Sequence, residues 1–181
     1  MRVSFRVDAS PQIGIGHYMR CLTLADELKK RGSHICFVTR HLPDHLREML
    51  VKMEHELALL PTSQRCETDE LSHSHWLGTS QASDAEGTLQ ALGDGTWDWL
   101  VVDHYGLDAR WELTLRTRVT RILVIDDLAD REHDCELLLD QNFYEAMDTR
   151  YCGKVPKHCA LLLGPRYALL SDEYRDRKSV V

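Results

Sequence analysis

Residues 2–32, RVSFRVDASPQIGIGHYMRCLTLADELKKRG, change their hydrophobic period part-way along, and that change governs how the chain is read. Val3, Phe5 and Val7 alternate with Arg2, Ser4 and Arg6, which is the period of a strand. Met19, Leu22, Ala25 and Leu28 then recur at helical spacing. Gly32 ends the helix. Between the two elements lies a turn marked by Gly14 and Gly16, with His17 directly behind it. The expected unit is strand, tight turn and helix, with the helix N-terminus turned toward whatever the turn approaches.

The alternation continues outward. HICFVT (34–39) and ELALL (56–60) read as strands around a helix in PDHLREMLVKM (43–53), where Leu46, Met49, Leu50 and Met53 share one face. The stretch from 61 to about 80 is polar and without period, and SDAEGTLQALG (83–93) reads as a helix weakened by Gly87. WLVVD (99–103), a short apolar run ending in an acid, is a buried strand. DARWELTLRTRV (108–119) is the helix after it, RILVIDD (121–127) the next strand, and CELLLDQN (135–142) and CALLLG (159–164) offer two more. Strands alternating with helices predict right-handed βαβ units, and so an α/β fold: a Rossmann-like parallel sheet with helices on both faces. Ligands of such sheets lie at the carboxyl ends of the strands. Asp8, the Gly14–His17 turn, Asp103–Gly106 and Asp126–Asp127 all fall at those ends.

The bulk properties narrow the partners. A chain of 181 residues, 43% hydrophobic and 28% charged, suits one domain with a sizeable core. Its formal charge of −7 argues against nucleic acid or a basic membrane-binding surface, so an anionic ligand must be held locally. The longest apolar runs, such as WLVV and ILVI, are too short to span a bilayer, and the N-terminus lacks the apolar centre of a signal peptide. Six cysteines form no C-x-x-C pair, so reduced thiols and a cytoplasmic location are expected.

Gly14, Ile15 and Gly16 form a turn whose backbone can approach a ligand closely, and the helix behind it presents unpaired amides suited to a diphosphate. The same dipole disfavours a protonated imidazole, so His17 is expected to be neutral and able to accept a proton. A plain turn with a packed histidine fits the pattern equally well. A dinucleotide site does not, because G-x-G-x-x-G requires glycine where Met19 stands and the second strand ends in Thr39-Arg40 rather than an acid. In DHYG (103–106), Asp103 can orient a neighbour and Tyr105 can stack on or hydrogen-bond a sugar; a polar loop with an inward tyrosine is the alternative. Asp126, Asp127, Asp130, His133 and Asp134, with His73 and His75, bring to mind a metal, but none has the spacing of a zinc-ligand set. No metal and no cofactor are expected.

Four ordered segments, FRVDASPQIGIGHYMRCLTLADEL, DWLVVDHYGLDARWE, IDDLADREHDCELLLDQN and YALLSDEY, resemble the N-terminal half of the nucleotide-sugar hydrolases of pseudaminic acid biosynthesis. Those enzymes cleave UDP-2,4-diacetamido-2,4,6-trideoxy-β-L-altropyranose and have the two-domain GT-B glycosyltransferase architecture. The resemblance implies hydrolysis of the sugar C1–O bond with inversion and release of UDP, without a metal. It implies His17 as general base, Tyr105 as the active-site tyrosine, and Gly14 and Gly16 as the turn facing the phosphates; Ile15, Asp8 and Asn142 are expected to bind substrate with Gly14, Gly16 and Tyr105. It also implies a catalytic domain over 1–175, a linker beginning at 176–181, and a UDP-binding domain absent here and expected in cis. Two other readings remain: a GT-B glycosyltransferase, with a hydroxyl in place of water, and a non-catalytic carbohydrate-binding fragment.

Overall fold

The structure is a computed structural model that describes residues 1–62 and 69–171. Cys66, the end of the YALLSDEY segment, and the expected boundary at 175 with its 176–181 linker lie outside the described residues. In chain order the elements are β1 (Arg2–Val7), α1 (Gly16–Lys30), β2 (His34–Thr39), α2 (Asp44–Lys52), β3 (Glu56–Leu59), α3 (Gln81–Leu92), β4 (Trp97–Asp103), α4 (Ala109–Leu115), β5 (Val119–Ile125), β6 (Leu137–Asp140), α5 (Met147–Arg150) and β7 (Ala160–Leu163). The strands form one seven-stranded sheet in the order β3-β2-β1-β4-β5-β6-β7, and every pairing is parallel. The expected Rossmann-like sheet is present. Sequence reading placed every strand, ran α4 several residues too long, and missed α5 and the 3₁₀ turn Ser74–Leu77 inside the aperiodic 61–80 stretch.

Helices cover both faces. Leu22 and Ala25 of α1 and Leu46 and Leu50 of α2 pack with Val3, Phe5, Phe37 and Val101 on one side. On the other side, Ala85 and Leu92 of α3 and Trp111 and Leu115 of α4 pack with Val38, Leu100, Val102 and Ile122. Among the described residues no helix is long and apolar enough to cross a membrane.

Because both its faces are covered, β1 is buried throughout its middle, and its alternation separates two interiors rather than core from solvent. Ser4 and Arg6 are as inaccessible as Val3 and Phe5. Arg6 is tolerated there because its guanidinium forks Asp84, with Nε 3.0 Å from Oδ1 and one terminal nitrogen 2.8 Å from Oδ2, and contacts Asp8 at 2.8 Å. Arg40 also reaches Asp84 at 2.8 Å, and the Trp111 indole donates to it at 3.1 Å. This buried network ties β1, the β2 end, α3 and α4 together beneath the carboxyl edge.

The strand order reverses between β1 and β4, whose connections leave over opposite faces. At such a point the loops part and leave a crevice. The Gly14–His17 turn follows β1 and DHYG closes β4, so both sequence motifs meet at this crevice.

Candidate active site

Pairing of Val7 with Asp103 sets the ends of β1 and β4 level. Strand alternation puts Asp103 on the same face as Val101, the face covered by α1. Asp103 is therefore buried under the first turns of that helix, where His17, Arg20 and Cys21 share one side at i, i+3 and i+4. His17 Nδ1 lies 2.5 Å from Asp103 Oδ1. Arg20 forks the same carboxylate, with Nε 2.6 Å from Oδ2 and a terminal nitrogen 2.7 Å from Oδ1. The Cys21 thiol lies 3.5 Å from Oδ2.

Burial alone would raise the Asp103 pKa, but hydrogen bonds from Arg20 and His17 outweigh it and hold this carboxyl well below the usual range. An ionised carboxylate only accepts hydrogen bonds. The His17 proton toward Asp103 is thus on Nδ1, and in the neutral imidazole Nε2 is then the acceptor. Among the described residues no group bonds Nε2, and His17 retains 9% of its surface.

Beside the histidine stands Tyr105, its ring edge-on to the imidazole at 4.6 Å between centroids. Its hydroxyl donates a short hydrogen bond to Asp127 Oδ1. Burial, and then Asp127, push the phenol's pKa well upward, so it is a neutral donor. Asp127 also accepts from Asn142 Nδ2 at 3.1 Å, and Arg20 extends toward it at 3.7 Å. Trp76 stacks against Tyr105 at 5.7 Å, and His73 meets both rings edge-on.

The turn before His17 faces the same crevice. Gly14 has φ +82°, a left-handed conformation that favours glycine, and its amide donates to Ser10 O at 2.7 Å. A β-carbon on Gly16 would stand in open space, so packing against the protein does not account for a glycine there. Ile15 precedes α1 without a side-chain cap, no acid occupies its first turn, and the first intrahelical bond runs from Met19 N–H to Ile15 C=O. Among the described residues the amides of Gly16, His17 and Tyr18 have no hydrogen-bond partner, a setting suited to an anion.

His17, Gly14, Ile15, Gly16, Tyr105 and Asn142 are thus brought together at one edge. Asp8 is not among them, and its expected contact with substrate is corrected. It has no exposed surface, and its oxygens are taken by Arg6, Thr39 Oγ1 and the Arg40 amide, so it holds the loop after β2 in place. Asp126 is likewise structural, accepting from Tyr151 and the Ala129 amide. Its neighbour Asp127 lies in the site. Asp130, His133 and Asp134 pair with Arg131, Glu112 and Arg116. Among the described residues no cluster of three or more His, Cys, Asp or Glu side chains is arranged to hold a metal ion.

Sequence reading missed Arg20, Trp76 and His73 as parts of the site. Arg20 was within reach, since its spacing from His17 puts both on one helical face. Trp76 and His73 sit on the aperiodic stretch, where no pattern announced which way they face.

No protein-family model matches the chain. A curated relative, the UDP-2,4-diacetamido-2,4,6-trideoxy-beta-L-altropyranose hydrolase of Campylobacter jejuni subsp. jejuni serotype O:2, is 28% identical over 175 residues. The chain is similar to a nucleotide-sugar hydrolase. The alignment covers 96% of this chain and 53% of that hydrolase, so the chain spans about half the length of the relative it matches. Among solved structures, CalG4, the calicheamicin glycosyltransferase, superposes with a TM-score of 0.46 at 20% identity over 70% of this chain and 32% of that one.

Proposed function

We propose that this chain is the catalytic half of a UDP-sugar hydrolase. The reaction is hydrolysis of a UDP-linked diacetamido-trideoxy sugar at C1 with inversion, in pseudaminic acid biosynthesis. The observation that carries the reading is the His17–Asp103 pair, which leaves His17 Nε2 as a proton acceptor at a glycine-lined helix N-terminus. Similarity to the hydrolase supports the substrate class.

In this reading water attacks C1, and His17 Nε2 takes its proton as the new C–O bond forms. The electrons of the breaking C1–O bond leave on a diphosphate oxygen of UDP. The first-turn amides of α1 stabilise that developing charge, and Tyr105, fixed by Asp127, orients sugar or water. One displacement inverts C1. General-base help of this kind is worth roughly two to four orders of magnitude in rate.

The test is release of UDP and free sugar from the nucleotide sugar, with proton NMR of the anomeric configuration, for this chain and a full-length relative side by side. UDP with inverted free sugar from water alone supports the reading. UDP appearing only with an added sugar or lipid acceptor would make the protein a glycosyltransferase. Turnover by the relative, with sugar binding but no turnover by this chain even when the relative's remaining half is added, would make it a binding fragment.

A further inference from the structure

We propose that Arg20 is the positioning residue that joins the two halves of this site. A single guanidinium holds the carboxylate that orients His17 and reaches the carboxylate that orients Tyr105. Asp103 is fully buried and Asp127 is partly exposed, with 17% of its side-chain surface accessible. They approach from the ends of different strands, β4 and β5. Two such carboxylates around one crevice need a permanent positive charge between them.

Arg20 supplies it in a shape no other cation offers. Its Nε and one terminal nitrogen occupy both Asp103 oxygens at 2.6 and 2.7 Å, while the other terminal nitrogen points at Asp127, 3.7 Å away. That terminal nitrogen on Asp103 is also 3.1 Å from His17 Nδ1. Carboxylate, imidazole and guanidinium thus share one tightly packed contact. The remaining group on Asp103, the Cys21 thiol, has its pKa pushed well up by burial and contributes no charge.

The planar fork fixes the rotation of the Asp103 carboxylate, which fixes the direction in which His17 Nε2 points. A lysine ammonium is a single point and cannot do this. Arg20 therefore acts through Asp103 rather than on substrate. Its use for His17 rests on the proposed hydrolysis, but the clamp itself does not.

The experiment reads the clamp without turnover. In the 181-residue chain, the proton shared by His17 Nδ1 and Asp103 should give a far-downfield NMR line, absent from His17→Asn. Arg20→Ala should lose or broaden that line, and guanidinium ion at sub-denaturing concentration should restore it. Arg20→Lys, which keeps the charge and guards against misfolding of the alanine variant, should keep the fold by circular dichroism and still lose the line. An unchanged line in either variant overturns the proposal.

Where UDP release is measurable, Arg20→Lys should lower kcat at least about tenfold with KM within about threefold. A raised KM at unchanged kcat would make Arg20 a substrate contact and overturn the positioning role. Wild-type chain and full-length relative that show the line and its loss but never release UDP would sink the hydrolase reading and leave the clamp standing.

Discussion

His17 and Asp103 are 86 positions apart in sequence and 2.5 Å apart in space, through Nδ1 and Oδ1. The contact exists because β1 and β4 are neighbours at the reversal of strand order, so a residue entering α1 meets one ending β4. It gives the imidazole a defined tautomer at the mouth of the crevice.

Removing either partner should stop the reaction for different reasons. His17→Asn deletes the proton acceptor. Asp103→Asn keeps the shape but offers an amide donor to Nδ1, which moves the imidazole proton to Nε2. Each should reduce UDP release by about 10²- to 10⁴-fold with the fold retained, measured by coupled UDP assay in a protein that turns over. More than about a tenth of the rate surviving in His17→Asn would falsify the general-base role.

Tyr105→Phe should be milder. It loses the hydrogen bond to Asp127 but keeps the ring against His17 and Trp76. Because the acceptor is a carboxylate, that bond is worth about 1.5–3 kcal/mol, and a rate loss of about ten- to a hundredfold is the expected scale. Steady-state kinetics of the two variants compare them directly. If Tyr105→Phe were as inactive as His17→Asn, the phenol would have a chemical role.

The buried network under the edge should carry stability rather than rate. Arg6→Met leaves Asp8 facing burial without its forked cation and takes one of two cations from Asp84. Breaking one side of such a buried set costs about 3–5 kcal/mol, which for a chain of this size lowers Tm by about 6–20 °C. Differential scanning calorimetry reads it. A shift under about 3 °C would show that Arg40 alone suffices.

Acid should unfold the chain in two stages. His104 is buried with Nδ1 accepting the Gly106 amide, and burial lowers its pKa from the usual 6.5. The unfolded chain then binds the extra proton first, so stability falls as pH drops below about 6.5. Asp8, Asp84, Asp103 and Asp126 have pKa values held below the usual 3.8, despite burial, by partners that include Arg6 and Arg20. Their contribution is complete above that value and is lost as pH falls through the folded ones. The urea midpoint followed from pH 8 to 2.5 should decline gently below 6.5 and steeply below about 4. A flat midpoint down to pH 3 would contradict this linkage.

The sequence by itself determined the order of the strands and of helices α1 to α4, the parallel sheet, and the placing of G-I-G-H and D-H-Y-G at strand ends. Each follows from local periodicity and from glycine's backbone freedom, which are written into neighbouring residues. It did not determine which acids serve the site. Asp8 and Asp103 both end strands at the same edge, yet one is consumed by Arg6 and the loop after β2 while the other holds His17. Asp126 and Asp127 are adjacent, yet only the second faces the crevice. Those outcomes depend on side-chain direction at a shared edge and on partners dozens of residues away. Only the tertiary structure decided them, because hydrogen bonds between distant elements form where packing sets the distance and not where sequence sets the spacing.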